Sequence, residues 1–410
     1  MLDRLTIERM RSWTGDKPVL IALSGGGDSV ALMHLLVAEL GANRLRAAIV
    51  DHALRDGSAT DATRAHSFAE GLGVPAEILR LSWEEGANRA QQAAREARYN
   101  AICDHARANG LSTIAAAHTA DDQAETVLMR AASNSTWRGL AGIAPFAFAP
   151  IWPGGRGIAL ARPLLGARRG SLRAYLRDQR ADWIEDPANT NPKFERVRIR
   201  ERLAALEQTG FEPMRLAALA TKLRRNAGVL DAAALALINR AAELDLAITI
   251  NRAAWEAASE VRQRALSVLI ATASGASREP SWTEMEALER RAMSKSSGFT
   301  HSGVAFTQAN SSVTLSREPG AVLGRADGAP AVAPLSLPPH LEAIWDGRLG
   351  ITAPEAGWRV VPVRSGELAA FENGLDQKRY HEVRDHLSLR PLAADRVTHA
   401  FAPDINRAKP

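Results

Sequence analysis

The sequence predicts an α/β chain: a doubly wound, mostly parallel sheet, followed by a helical domain and a smaller C-terminal region. Three observations predict it. Short β-type runs alternate with helical patterns through the first half of the chain, the pattern of a parallel sheet covered on both faces. A glycine-rich turn lies between the first such run and the first such helix. The length of 410 residues exceeds one ordinary core, so two or three domains are expected.

The elements follow in order. Val19–Ser24 reads as a strand and Ser29–Leu40 as a helix. Leu45–Asp51 is a second strand, with a helix over about Ala59–Leu72. A third strand covers Ala76–Leu81, before a long helix through Ala90–Ala108. Ser112–Ala117 is the fourth, followed by a helix over Ala120–Ala132, and Gly157–Leu160 supplies a fifth. From Arg168 to Arg240 the pattern is helical and arginine-rich. Ser281 with Glu284 three residues on reads as a capping box. Phe299–Glu318 alternates as strands do, and Trp358–Val363 is a late β-type run. Residues 319–339 carry five prolines and three glycines, the composition of a linker.

Composition sets the outer limits. With 46% hydrophobic and 24% charged residues the chain is globular, and a net charge of +5 tilts it toward a polyanionic partner. A single cysteine, Cys103, allows neither an intramolecular disulfide nor a CxxC pair, and reads as buried and inert. Met1–Trp13 mixes acids and bases and lacks the apolar core of a signal peptide. The longest uncharged run, Gly139–Gly155, holds three prolines and is too short to span a bilayer. A cytoplasmic protein without a membrane partner is expected.

Chemistry is concentrated in two places. Ser24-Gly25-Gly26-Gly27-Asp28-Ser29 sits between a strand and a helix. Glycines there bring backbone N–H groups close to an anion, the helix aims its positive end at the same spot, and the serine hydroxyls add donors. A ligand-free glycine turn is the bland alternative, but the flanking serines and aspartate weigh against it. Neither a Walker A loop nor a dinucleotide GxGxxG spacing is present. The second cluster is His118-Thr119-Ala120-Asp121-Asp122-Gln123-Ala124-Glu125. If a helix includes it, His118, Asp122 and Glu125 share one face. An acidic helix start favoured by the macrodipole would explain Asp121 and Asp122, though not His118 and Glu125. With strand one beside strand four, as in a 3-2-1-4-5 order, both clusters flank one crevice. A carboxylate pair there can hold Mg²⁺, a substrate ammonium, or both. Arg95 and Arg98 lie on the preceding helix, where a solvated face is the plain reading of either alone. Between Arg156 and Arg202 stand 12 Lys/Arg against 6 Asp/Glu. Phosphate contact by Arg196, Arg198 and Arg200 competes there with a salt-bridged helix.

SGGGDS (24–29) resembles the signature of PP-loop ATP pyrophosphatases, of the adenine nucleotide α-hydrolase-like fold. Residues 18–210 are similar, in order and spacing, to the tRNA(Ile)-lysidine synthase family. The matching pieces are VDHALRDGS (50–58), AAREARY (93–99), AAHTADDQAET (116–126), RGLAGI (138–143), ARPLL (161–165) and WIEDPANTNPKFERVRIR (183–200). The resemblance implies ATP binding by Ser24–Ser29, catalytic parts for Asp28, Asp122, Glu125, His118 and Arg98, and tRNA contact by Arg196, Arg198 and Arg200. It also implies ATP with Mg²⁺, free L-lysine and a CAU-anticodon tRNA(Ile) as ligands. Lysine would be joined to C2 of the wobble cytidine through an adenylylated tRNA, releasing AMP and pyrophosphate. A homodimer stays open. On this basis residues 1–210 are expected to form the ATP-binding catalytic domain and 211–318 a mostly helical tRNA-binding domain. A linker over 319–339 and a small, tRNA-contacting domain over 340–410 would complete the chain.

The sequence departs from the family at Ser133-Asn134-Ser135-Thr136, where the family carries Arg-Gly-Ser-Gly. Thr tolerates left-handed backbone angles poorly, so another loop path is expected. A PP-loop tRNA thiolase, an amidating ligase and a tRNA-binding protein with decayed catalysis are the competing readings. The lone cysteine weighs against the first, and intact Asp28, Asp122 and Glu125 against the last.

Overall fold

Val19–Ala22 (β1, after the helix α1 at Arg4–Thr14) is apolar at every position because both its faces are covered. Val19 and Ile21 point into a core shared with the helix α2 (Gly27–Leu40), whose Val30, Met33 and Leu36 are buried there. Leu20 points the other way, into a core with Tyr99, Ile102 and Cys103. This partition is the period-two signature of a central strand. The computed structural model describes residues 1–53, 56–83, 91–133, 135–185, 195–294, 297–324, 331–363, 369–373, 376–379, 382–383 and 385–401.

The chain continues through β2 (Leu45–Asp51), α3 (Ser58–Gly71), β3 (Ala76–Arg80), α4 (Gln91–Ala108), β4 (Thr113–Ala115) and α5 (Ala120–Ala132). After these come α6 (Trp137–Leu140), β5 (Phe146–Phe148), β6 (Ala159–Ala161), α7 (Arg169–Asp178), α8 (Glu195–Gln208) and α9 (Pro213–Ala241). The six strands form one sheet in the order β3-β2-β1-β4-β6-β5, parallel except for β5. Taking β6 as the fifth strand read from the sequence, the 3-2-1-4-5 order is met. The antiparallel edge strand β5 was not foreseen, because it hides in the proline-punctuated uncharged run.

Two units divide the described residues, one over Met1–Gly228 and one over Val229–Phe401. The first extends past residue 210. Leu216 of α9 packs with Ala124, Ile199 and Leu203, and Arg224 donates to the Ala141 carbonyl at 3.0 Å.

In the second unit the region expected to be mostly helical contains a five-stranded antiparallel sheet. Its strands are β7 (Ala242–Leu244), β8 (Ile248–Asn251), β9 (Phe299–His301), β10 (Val304–Gln308) and β11 (Ser312–Arg317), ordered β7-β8-β11-β10-β9. The helices α10 (Ser259–Ser274) and α11 (Met285–Met293) share its core. β9, β10 and β11 lie in the alternating stretch Phe299–Glu318, whereas β7 and β8, three and four residues long inside helix-rich sequence, leave too short a period to read. The capping box at Ser281 is not formed: its hydroxyl pairs with the Thr283 hydroxyl at 2.8 Å, and a single 3₁₀ turn over Trp282–Glu284 precedes α11.

The stretch read as a linker is likewise partly structured. It holds α12 (Pro319–Leu323) and β12 (Leu335–Ser336), and Val322 and Leu337 are buried with Trp345, Trp358 and Phe371; residues 325–330 lie outside the described ones. The tail adds β13 (Glu342–Trp345), β14 (Leu349–Thr352), β15 (Trp358–Val361), β16 (Ala370–Asn373), β17 (Asp376–Arg379), β18 (Ser388–Pro391) and α13 (Ala393–Ala400). They pair as β12-β15-β16-β17 and β13-β14-β18. No helix among the described residues is long and apolar enough to cross a membrane.

Candidate active site

Strand pairing builds the site. β1 and β4 are parallel neighbours, Leu20 opposite Ile114, so the loops after them open side by side at the carboxyl end of the sheet. A cleft of about 500 Å³ lies there, and Ser24, Asp28, Arg98, His118, Asp122 and Arg169 are among its lining residues.

The first loop is held in shape by its own side chains. Gly25 has φ +80°, and an added Cβ would stand 2.5 Å from Ile184 Cδ1, so this glycine is required twice over. Gly26 is extended, with φ −69° and ψ 156°, and caps α2, which begins two residues earlier than the sequence suggested. The Ser29 hydroxyl donates to the Gly26 carbonyl at 2.9 Å and lies 3.1 Å from the Ser24 hydroxyl. The first N–H groups of α2 have no intrahelical acceptor and border the cleft, the arrangement that binds phosphate.

The second loop ends at α5. His118 is outside this helix, which Thr119 caps in a full capping box with Asp122. Asp122 Oδ2 accepts from the Thr119 N–H and hydroxyl, both at 2.8 Å, so the helix-capping reading of this acid holds in part. Its other oxygen faces the site.

Arg169, at the start of α7, ties the two loops together. Its Nε donates to Asp28 at 3.0 Å, Nη2 to Asp122 at 3.1 Å and Nη1 to Glu125 at 3.3 Å. Arg200 Nε adds a bond to Glu125 at 3.0 Å. Glu125 is 1% exposed, and its Oε2 has no partner; neither has Asp28 Oδ1. Burial raises the Asp28 pKa, with the Asp122 charge adding to it, against the pull of Arg169. For Asp122 burial works upward too, but Arg169 and the Thr119 donors outweigh it and lower the pKa. The Arg169 guanidinium is itself desolvated, yet Asp122 and Asp28 push its pKa above the ordinary value. Burial and the charge of Arg162 drive His118 down to about 3, so its imidazole is neutral at pH 7, with Nδ1 unpartnered.

The cationic wall is built by α4 and α8. Arg95 and Arg98 stack over the Tyr99 ring at 5.0 and 5.6 Å, and burial lowers the Arg98 pKa. Arg196 lines the cleft as well, whereas Arg198 is exposed. Among the described residues, no three His, Cys, Asp or Glu side chains are grouped to hold a metal ion.

Comparison with known proteins agrees with this geometry. A family model described as a PP-loop domain matches residues 3–207. A tRNA(Ile)-lysidine synthase of Mesorhizobium japonicum is 36% identical over 372 residues, covering 87% of this chain and 77% of that one. The chain belongs to the tRNA(Ile)-lysidine synthase family. Relatives of that name from Hyphomonas neptunium and Ruegeria pomeroyi are 47% and 43% identical over 191 and 213 residues. These two alignments cover 46% and 52% of this chain, and the chain spans about half of their length, 51% and 49%. Among solved structures, the U34-tRNA thiolase NcsA of Methanococcus maripaludis is similar at a TM-score of 0.41 and 17% identity, covering 54% of this chain and 77% of that one, too distant to carry an argument.

The structure thus brings Ser24–Ser29, Asp28, Arg98, His118, Asp122, Arg196 and Arg200 to one cleft, with Glu125 buried beside it. Of the three arginines expected on tRNA, Arg200 is spent on Glu125 and Arg198 is not in the cleft lining. Arg169 was missed, although an arginine pair at a helix start, against the macrodipole, is a legible anomaly. Trp183 and Ile184 were missed as loop supports: the Ile184 N–H donates to the Gly25 carbonyl at 2.9 Å. Residues 186–194, which hold most of the EDPAN…RVRIR element, lie outside the described residues, as does Asn134. The neighbouring Ser133 and Thr136 take negative φ, −92° and −63°, and the Ser135 N–H returns to the Arg130 carbonyl at 2.9 Å.

Proposed function

We propose that the chain is a cytoplasmic ligase that joins L-lysine to C2 of the wobble cytidine in a CAU-anticodon tRNA(Ile), at the expense of ATP. One arrangement carries the reading. An acid of the phosphate loop and two acids of α5 converge on one guanidinium, so nucleotide phosphates and a cationic substrate meet in a single cleft.

In the first step the cytidine C2 oxygen attacks the α-phosphorus; an O–P bond forms as the bond to the β-phosphate oxygen breaks. The N–H groups of the loop and of α2 receive the charge that builds on the departing pyrophosphate. Mg²⁺ would come with the phosphates, where it shields their charge; the three acids are already engaged by arginine and form no cage for it. In the second step the lysine ε-ammonium gives up one proton to solvent, its nitrogen bonds to C2, the C2–O bond breaks and AMP leaves. Asp122 and Glu125 orient the amine. His118 stays neutral and offers a ring nitrogen as a hydrogen-bond partner rather than a charge. Arg196 and the Tyr99-stacked Arg95 and Arg98 face the nucleic-acid phosphates.

Incubation with candidate tRNAs, ATP and labelled lysine tests this. AMP, pyrophosphate and tRNA-bound lysine are expected in equal amounts, with CAU-anticodon tRNA(Ile) alone. Adenylylation without lysine transfer, or transfer blind to the anticodon, would overturn it.

A further inference from the structure

Residues 183–185 run beside the phosphate loop like an added strand. The Ile184 N–H donates to the Gly25 carbonyl, and Ile184 bridges Gly26 in parallel register. Trp183 covers the start of α2: its ring atoms stand 3.4–3.6 Å from where a Gly27 Cβ would be. The Trp183 Nε1–H donates to Glu185 Oε1 at 2.7 Å, and Arg173 grips the same carboxylate at 2.5 and 3.4 Å. The Arg173 guanidinium lies 5.9 Å from the centre of the Trp183 ring. Its charge is felt in the loop at Asp28, whose pKa burial raises and Arg169 and Arg173 pull back. Arg173 and Glu185 both line the cleft.

Arg169 and Arg173 sit one turn apart on α7, yet they are held differently. Arg169 is fixed by three acids. Arg173 rests on Glu185, and the two side chains are 33% and 59% exposed. A pair that wet adds little stability, so its guanidinium is easily drawn to a stronger acceptor. A triphosphate at the first N–H groups of α2 is such an acceptor, with several charges and oxygens that suit the guanidinium fork. Resting on the reading of this cleft as the ATP site, we infer that Arg173 is a further phosphate-binding residue for the reaction, leaving Glu185 to grip the β- and γ-phosphates that depart as pyrophosphate. Glu185 takes the guanidinium back once they have gone, and its own charge opposes them meanwhile.

The test is calorimetric titration of the full chain with ATP and with AMP, both with Mg²⁺ and without tRNA or lysine. Arg173→Gln is expected to raise the Kd for ATP at least about tenfold, the loss of one bond to a charged group, and to leave AMP nearly unchanged. Arg173→Lys keeps the charge without the fork and should fall between. Glu185→Gln keeps an acceptor for Trp183 but removes the opposing charge, and is expected to tighten ATP about threefold. The opposite signs matter, because a pair that only braced the loop would weaken ATP in both variants. An unchanged Kd for ATP in Arg173→Gln, an equal loss of AMP there, or ATP no tighter in Glu185→Gln would overturn the inference and leave the proposed activity standing. A wild-type chain that binds no ATP would overturn both.

Discussion

At the scale of single residues, the site is governed by which charges are compensated. Glu125 is buried and shared between two arginines, so Glu125→Gln leaves positive charge uncovered where an ammonium should dock. Loss of a desolvated charge partner costs about 2–5 kcal/mol. The KM for lysine is therefore expected to rise tenfold or more, while pyrophosphate release on adenylylation falls less. Equal failure of both steps, rescued by Mg²⁺ but not by lysine, would place the acid on the metal instead. His118 sets a pH dependence of opposite character. In the unfolded chain its imidazole takes a proton below the ordinary 6.5, whereas the folded site resists protonation down to about 3. Protonation therefore favours unfolding in that window, and stability declines as pH falls through it, by at most about 1.4 kcal/mol per pH unit. His118→Gln should show a shallower decline in urea unfolding between about pH 7 and pH 5. Parallel slopes would remove the residue from this role.

At the scale of elements, α8 has two duties. Arg200 serves Glu125, so Arg200→Ala is expected to affect the lysine requirement and leave the salt dependence of tRNA binding nearly unchanged. Arg196→Ala should flatten that dependence by roughly 0.7–0.9 per lost phosphate contact, whatever the anticodon. An identical slope in the Arg196 variant would return it to a solvated helix face. The same elements show what a sequence reveals. β1 could be read because both faces are buried, which leaves apolar residues throughout, and β2 because Ala47–Val50 form an apolar run between Arg46 and Asp51. The loops were legible because glycine, serine and paired acids have few structural reasons to gather there. Arg169 was not, since its partners lie at least 44 residues away and only the folded sheet brings them together. β7 and β8 escaped notice because a few residues carry no measurable period.

At the scale of the whole molecule, the two units have unlike cores. The second encloses Arg264, 2% exposed, bonded to Asp231 at 2.6 Å and Glu279 at 2.7 Å and lying over the Phe401 ring. Removing a partner from a buried pair typically costs about 3–5 kcal/mol. In calorimetry, Arg264→Ala is expected to lower the melting of the second unit only. A non-hydrolysable ATP analogue should raise the melting of the first, by about 2.7 kcal/mol at a hundred times its Kd. A single transition that moves as one under both changes would show that the units unfold together.

Cys103 lies on α4 in the core under β1, fully buried, with burial pushing its thiol up to about 12. Almost no thiolate exists at neutral pH, and alkylating reagents act on the thiolate. The protein therefore contains its own clock: the rate at which a maleimide modifies this one sulfur counts the moments when the nucleotide-binding sheet opens. Labelling should be slow in the native protein and slower still with ATP bound, and a rate indifferent to nucleotide would mean that α4 detaches by itself.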